Sequence, residues 1–275
     1  MSSKDLLRTK TRFAEQLVEG AGITMLPVDP IAWAQARSID VAGKPLRGCQ
    51  GSLISSGNSF GILYSNSLPN RGLINFTVAH ELGHFHLPGH PELLFAGGET
   101  VHQSQNNFTS ATNHEREADH FAVGLLMPRF LVIPVLRKAG CGMEAAIALS
   151  KACSTSLTAS AIRLAETCDD AVVIAVSVDG RIDWCASSKR VQHLDSIDLR
   201  VRRSLPPPGS ITTEFWKDRD NVAKSKRDEG TTYLSDWFDN APRLEMLEEV
   251  IGLGTYGRVL TILSSDADLD DIDSE

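Results

Sequence analysis

One stretch limits what this chain can be: residues 76–86, Phe-Thr-Val-Ala-His-Glu-Leu-Gly-His-Phe-His. It contains His80-Glu81-Leu82-Gly83-His84, an H-E-x-x-H pattern. On a helix, positions i and i+4 lie on one face, one above the other. His80 and His84 can therefore offer imidazole nitrogens to one metal ion. Zinc suits imidazole, and a catalytic zinc takes three protein ligands and keeps one position for water. Glu81 lies about 100° round the helix from His80. There it can take a proton from such a water as general base. Val78, Leu82 and Phe85 fall at i, i+4 and i+7 and give the helix a separate apolar stripe. The five residues alone leave a blander reading open, in which two core or surface histidines stand beside a solvated glutamate.

A third ligand is available downstream. Residues 113–122, Asn-His-Glu-Arg-Glu-Ala-Asp-His-Phe-Ala, also read as a helix. Glu115 and Asp119 are again i and i+4. Glu115 would complete a His-His-Glu set, and Asp119 could accept the outer N–H of a ligand histidine and fix its tautomer. Gly83 on the first helix and Ala118 and Ala122 on the second are small enough for the two to approach closely. Two alternatives stand beside Glu115 as ligand. Thr112-x-x-Glu115 fits a capping box, in which Glu115 only closes the helix N-terminus. Glu117 is a competing carboxylate, though it points elsewhere and lacks an aspartate four residues on.

The run Phe-Thr-Val-Ala-His-Glu-Leu-Gly-His ending at His84, with Glu-Arg-Glu-Ala-Asp-His-Phe-Ala-Val-Gly-Leu-Leu-Met-Pro from Glu115 to Pro128, resembles the ImmA/IrrE family of zinc metallopeptidases. The likeness is strong over roughly residues 25–135 and weak beyond. It implies a gluzincin-like endopeptidase with Zn2+ on His80, His84 and Glu115 and with Glu81 as the base. It further implies a protein substrate, a helix-turn-helix repressor whose cleavage relieves repression in a stress or mobile-element response. The alternative expectation is a non-catalytic metal-binding regulator that acts by binding a repressor or partner protein.

The rest of the chain bounds these expectations. A net charge of −8 argues against general affinity for nucleic acid. No run of about 18 apolar residues is present, so no membrane span is expected. The N-terminal residues lack the basic-then-apolar layout of a signal peptide. Five widely spaced cysteines without a C-x-x-C pair read as reduced thiols in a cytoplasm.

The fold class expected is α+β. A mainly helical zincin-like peptidase domain with a small sheet spans 1–135, and a helical linker of helix-turn-helix outline spans 136–168. An antiparallel α+β domain spans 169–265, and 266–275 forms an acidic disordered tail. Helices are expected over 4–19 and from Pro30 to about Arg37. Strands are expected at 51–55 and 60–64. The second of these is a candidate edge strand for pairing with substrate backbone. Arg71 closes a turn or is solvated. His86, His90 and His102 match no ligand spacing and read as loop or surface residues. The stretch 88–113 reads as a long connection able to act as a lid, with Phe95 and Phe108 as anchors. Tyr64 is one candidate among several for an oxyanion donor.

Helices follow over 130–138, 142–153 and 157–167. The last offers only Arg163 beside Glu166 for phosphate, which favours packing over DNA reading. Strands are expected at 171–178, 181–187, 231–238 and 258–263, with 244–251 as helix or strand. The resemblance implies a GAF-like sensor for this last domain, and dimerisation through it is the alternative. Trp184, Trp216 and Trp237 are pocket candidates or core residues.

Overall fold

The computed structural model describes residues 3–57, 59–104, 112–194 and 203–267. It is α+β and divides into two compact units, one of residues 1–132 and 150–156 and one of 133–149 and 157–275.

In the first unit, α1 (Ser3–Gly20) buries Leu7, Thr11, Ala14 and Val18, a stripe at helical spacing. α2 (Pro30–Gln35) starts where the Asp29 carboxylate accepts from the amides of Ile31 and Ala32, at 2.8 and 3.2 Å. Three strands follow, β1 (Asp40–Lys44), β2 (Gly51–Ser56) and β3 (Ser59–Ser65). Next come α3 (Arg71–His86), α4 (His90–Leu94), β4 (Val101–Ser104) and α5 (Asn113–Leu126). The sheet order is β1-β3-β2-β4, with β1 parallel to β3 and the other pairs antiparallel.

Two expectations need correction here. β3 is an interior strand: β1 pairs along one side of it and β2 along the other. It has no free edge for substrate, and among the described strands the edges belong to β1 and β4. The stretch 88–113 is no plain loop, since it carries α4, a 3-10 turn at Ala96–Gly98 and β4. Phe95 packs on Phe60 with ring centres 6.1 Å apart, while Phe108 lies outside the described residues.

α3 is the central element of this unit. The Asn70 side chain caps it by accepting from the Leu73 amide at 2.9 Å. Arg71, its first residue, makes an exposed 3.7 Å ion pair with Asp29. Every residue from Asn75 to His84 is buried, so α3 has no solvated face over that span. Val78 and Leu82 are fully enclosed, and each such side chain contributes about 1.5–3 kcal/mol. α5 lies against α3 at Gly83, where an added Cβ would stand 3.0 Å from Ala118 Cα and 3.1 Å from its carbonyl oxygen. α1 approaches α5 more closely still, with the Thr11 carbonyl oxygen seated over Gly124.

Gly83→Ala tests this packing. A glycine replaced by alanine inside a helix normally gains about 1 kcal/mol. Forcing a methyl into a filled interface costs about 1–3 kcal/mol. The clash is with backbone, which cannot rotate away, so the cost falls in the upper part of that range, about 2–3 kcal/mol, and the net effect expected is a loss of about 1–2 kcal/mol. Chemical denaturation reads it, and an unchanged midpoint would mean that α5 moves aside freely.

α6 (Arg129–Ala139) and α7 (Met143–Cys153) each begin in one unit and end in the other or return to it. The second unit continues with α8 (Leu157–Thr167), β5 (Ala171–Val178), β6 (Arg181–Ser187), α9 (Lys189–Gln192), α10 (Ile211–Phe215) and α11 (Arg219–Ala223). It closes with β7 (Arg227–Tyr233), α12 (Leu234–Trp237), β8 (Glu245–Gly252) and β9 (Arg258–Ser265). The five strands are all antiparallel in the order β6-β5-β9-β8-β7.

Two adjacent glutamates on β8 point to opposite faces of this sheet, as strand alternation requires. Glu248 accepts from the Ile211 and Thr212 amides and the Thr212 hydroxyl, and so closes the start of α10. Glu249 accepts from the Met143 amide at 2.7 Å and closes the start of α7. Arg163 is buried and paired with Glu166 at 3.2 Å, which removes it from any phosphate-reading face. The expected strand over 231–238 is in fact β7 followed by α12. The chain turns at Leu234 so that Trp237 is buried, its indole N–H donating to the Thr232 hydroxyl at 3.2 Å. The tail beyond residue 267 lies outside the described residues. None of the five cysteines forms a disulfide, and no single described helix is long and apolar enough to cross a membrane.

Candidate metal centre

α3 and α5 bring His80, His84 and Glu115 to one buried point. His80 Nε2 and His84 Nε2 are 3.0 Å apart. Glu115 Oε2 is 3.2 Å from His80 Nε2, and Glu115 Oε1 is 3.3 Å from His84 Nε2. Ligands at about 2.0–2.1 Å in a tetrahedron stand about 3.3 Å from one another, so these three atoms fit one small cation. Thr112 makes no side-chain cap on α5, and Glu115 is turned inward rather than spent on a capping box.

The outer edges of the ligand-type groups are also held. His80 Nδ1 meets Asp119 Oδ1 at 2.8 Å. His84 Nδ1 meets His90 Nδ1 at 3.1 Å. His102 Nε2 lies 3.2 Å from Glu115 Oε1, and His114 Nε2 lies 3.6 Å from the same oxygen. Glu117 is engaged elsewhere, 3.2 Å from His90 Nε2 and 3.0 Å from Lys10 Nζ.

Three histidines therefore depart from the surface reading. His90 is buried at the start of α4. His102 is carried by β4 to the Glu115 carboxylate. His86 stacks on Phe121 at 5.5 Å between ring centres and accepts from the Trp33 indole at 3.2 Å. Helical spacing could not reveal His90 or His102, because each arrives by a turn of the chain and not along α3. The one signal was the number of histidines within a short span after the motif. Tyr64 covers Gly43 of β1 with its ring.

Glu81 occupies a different setting. Its side chain is fully buried, and neither carboxyl oxygen has a hydrogen-bond partner of good geometry, although the Ser104 hydroxyl lies near. Such a buried carboxyl is costly unless something else meets it. Burial pushes its pKa up to about 7, against the pull of His80. Gly51 of β2 leaves the room it needs, since a Cβ there would lie 2.5 Å from Glu81 Oε1 and 2.6 Å from Thr77 Cγ2.

The electrostatics of the cluster favour one positive charge at its centre. Burial opposes charging His80, but Asp119 and Glu115 outweigh it and raise the pKa to about 10. Burial takes His84 down to about 3, with His80 adding to the shift. Burial also opposes the charge on Glu115, yet His102, His80 and His84 hold its carboxyl far below the usual range. Two imidazoles 3.0 Å apart cannot both charge. One cation between them would satisfy both nitrogens and the carboxylate together.

No curated protein matches the chain. A solved structure of a Mycobacterium tuberculosis transcriptional regulator matches over 94% of this chain and 76% of its own, with a TM-score of 0.60 and 12% identity, a likeness of fold. A family model, Peptidase_M78, described as the IrrE N-terminal-like domain, matches residues 34–165. That span includes both helices that bear the cluster, and residues 34–165 form an IrrE N-terminal-like domain of the Peptidase_M78 family.

Proposed function

We propose that the chain is a zinc-dependent endopeptidase whose substrate is a protein, a helix-turn-helix transcriptional repressor. The observation that carries this reading is the set of three ligand-type atoms 3.0–3.3 Å apart with an unpartnered buried glutamate beside them. In this reading His80, His84 and Glu115 are the ligands, Asp119 orients His80, and Glu81 is the general base.

A zinc ion held there would supply Lewis acidity to a scissile carbonyl and acidify a water. His80 and His84 would present Nε2 inward because Asp119 and His90 occupy their Nδ1 edges. The Glu81 carboxylate would take a proton from the attacking water and later release it to the leaving amine. Its enclosure by β2 keeps bulk water off the carboxyl and fixes its direction. The C-terminal unit, with strand order 2-1-5-4-3 when counted within itself, is proposed as a sensor or dimerisation module of GAF-like shape.

The test incubates the purified full chain with helix-turn-helix repressors encoded beside its gene and follows cleavage by mass. Metal content is measured in parallel. The expected result is cleavage that a chelator abolishes and stoichiometric zinc restores. A protein that carries no divalent metal would remove the ligand assignment. A metal-loaded protein that binds repressor tightly without cutting it would favour the regulator reading. That second reading is supported by the description of the matched structure as a transcriptional regulator.

A further inference from the structure

The two histidines of the motif are held in different ways. His80 leans on a carboxylate, Asp119. His84 leans on another imidazole, since its Nδ1 is 3.1 Å from His90 Nδ1. A nitrogen-to-nitrogen hydrogen bond needs one donor and one acceptor, so the two rings must carry complementary protons. His84 Nε2 faces His80 Nε2 and Glu115. If that nitrogen is left bare for a metal, its proton sits on Nδ1 and is donated to His90.

His90 Nδ1 must then be bare, and the proton of the neutral ring sits on Nε2. That nitrogen is 3.2 Å from Glu117 Oε2, an oxygen that also meets Lys10 Nζ at 3.0 Å. Every group in the row has one role: His84 donates to His90, His90 donates to Glu117, and Lys10 of α1 fixes Glu117. The chain reaches this arrangement through Gly89, whose φ of 83° lets it double back after α3 and start α4 at His90. His90 is 5% exposed, so water does not substitute for it freely.

We propose that His90 is a positioning residue for His84 and the head of a directed row, His84–His90–Glu117–Lys10, that sets the tautomer and ring orientation of one metal ligand from a neighbouring helix. The inference rests on the metal-centre reading and deepens it. Because the support of His84 is neutral and that of His80 is anionic, the two ligands differ in donor strength although they share one motif.

The test uses the full chain with Co2+ as probe, because its visible absorption reports ligand field as well as occupancy. Affinity is measured by chelator competition for wild type, His90→Leu, His90→Gln and Glu117→Gln. Thermal midpoints are recorded with excess chelator. Loss of an outer partner lowers metal affinity about 10–100-fold, and His90→Leu is expected in that range with an altered Co2+ spectrum. Glutamine can accept from His84 and donate to Glu117, so His90→Gln should recover most of the affinity and the wild-type spectrum. Glu117→Gln, nearer the surface and safer for folding, acts one hydrogen bond further from the metal and should weaken binding by less than His90→Leu does.

His90→Leu that binds Co2+ as tightly as wild type with the same spectrum would overturn the proposal. So would an equal affinity loss in His90→Leu and His90→Gln that tracks the chelator-state midpoint, since that is a packing effect. A wild type that binds neither Co2+ nor Zn2+ would overturn the metal-centre reading itself.

Discussion

Glu81→Gln is expected to retain metal at wild-type stoichiometry and to lose cleavage by on the order of 10³-fold, within the range general-base catalysis contributes. The change keeps the size of the side chain and removes only its ability to take a proton. It should also be easy for the fold, because the carboxyl is fully enclosed and has no well-formed hydrogen bond to lose. An amide relieves the cost of a charge in that enclosure, so the thermal midpoint should hold or rise. Metal analysis, a cleavage time course and a melting curve on one preparation check all three points. Cleavage at more than a tenth of the wild-type rate would rule Glu81 out as the base.

Gly51→Ala should damage the same chemistry from the sheet side. The added methyl would contact Glu81 Oε1 at 2.5 Å and Thr77 Cγ2 at 2.6 Å, both on the buried face of α3. Either the carboxyl is pushed from its place or β2 separates from α3. Misplacement of a catalytic group by about 1 Å can cost 10²-fold in rate, and overpacking costs about 1–3 kcal/mol of stability. The ligand atoms come from α3 and α5 and are not contacted by the methyl, so metal should stay. Gly61→Ala is the control, since its Cβ would meet only the Asp40 carbonyl at an ordinary 3.7 Å. If Gly51→Ala cuts as fast as Gly61→Ala, β2 does not hold Glu81.

The pair of i, i+4 spacings in α3 and α5 made the centre of the site legible before any fold was known. Both patterns are local, and a helix converts them directly into shared faces. The small residues Gly83 and Ala118 were legible for the same reason, and the structure puts them in contact. What spacing could not give was whatever depends on a turn between elements. His90 returns to His84 through Gly89, and His102 reaches Glu115 on a four-residue strand of mostly polar sequence. Residues 39–41 read as the start of an extended region, but Asp-Val-Ala-Gly-Lys alternates too weakly to read as a pairing strand, so β3 looked like an edge. Residues 231–238 read as one strand because Tyr, Trp and Phe favour strands. The burial of Trp237 outweighed that preference and ended β7 at Tyr233.

The order of strands in the second unit has a consequence for synthesis. β5 and β9 lie side by side at the heart of the sheet, although one spans Ala171–Val178 and the other Arg258–Ser265. On the ribosome, β5 emerges with a fully buried burden of Val172, Val173, Ile174 and Val176 and without the neighbour that will cover its long edge. That edge stays open until some eighty further residues have been made. The last residue of the first unit, 156, has been made before β5 begins. Until β9 is made, the open edge of β5 is the part of this unit most exposed to wrong pairing.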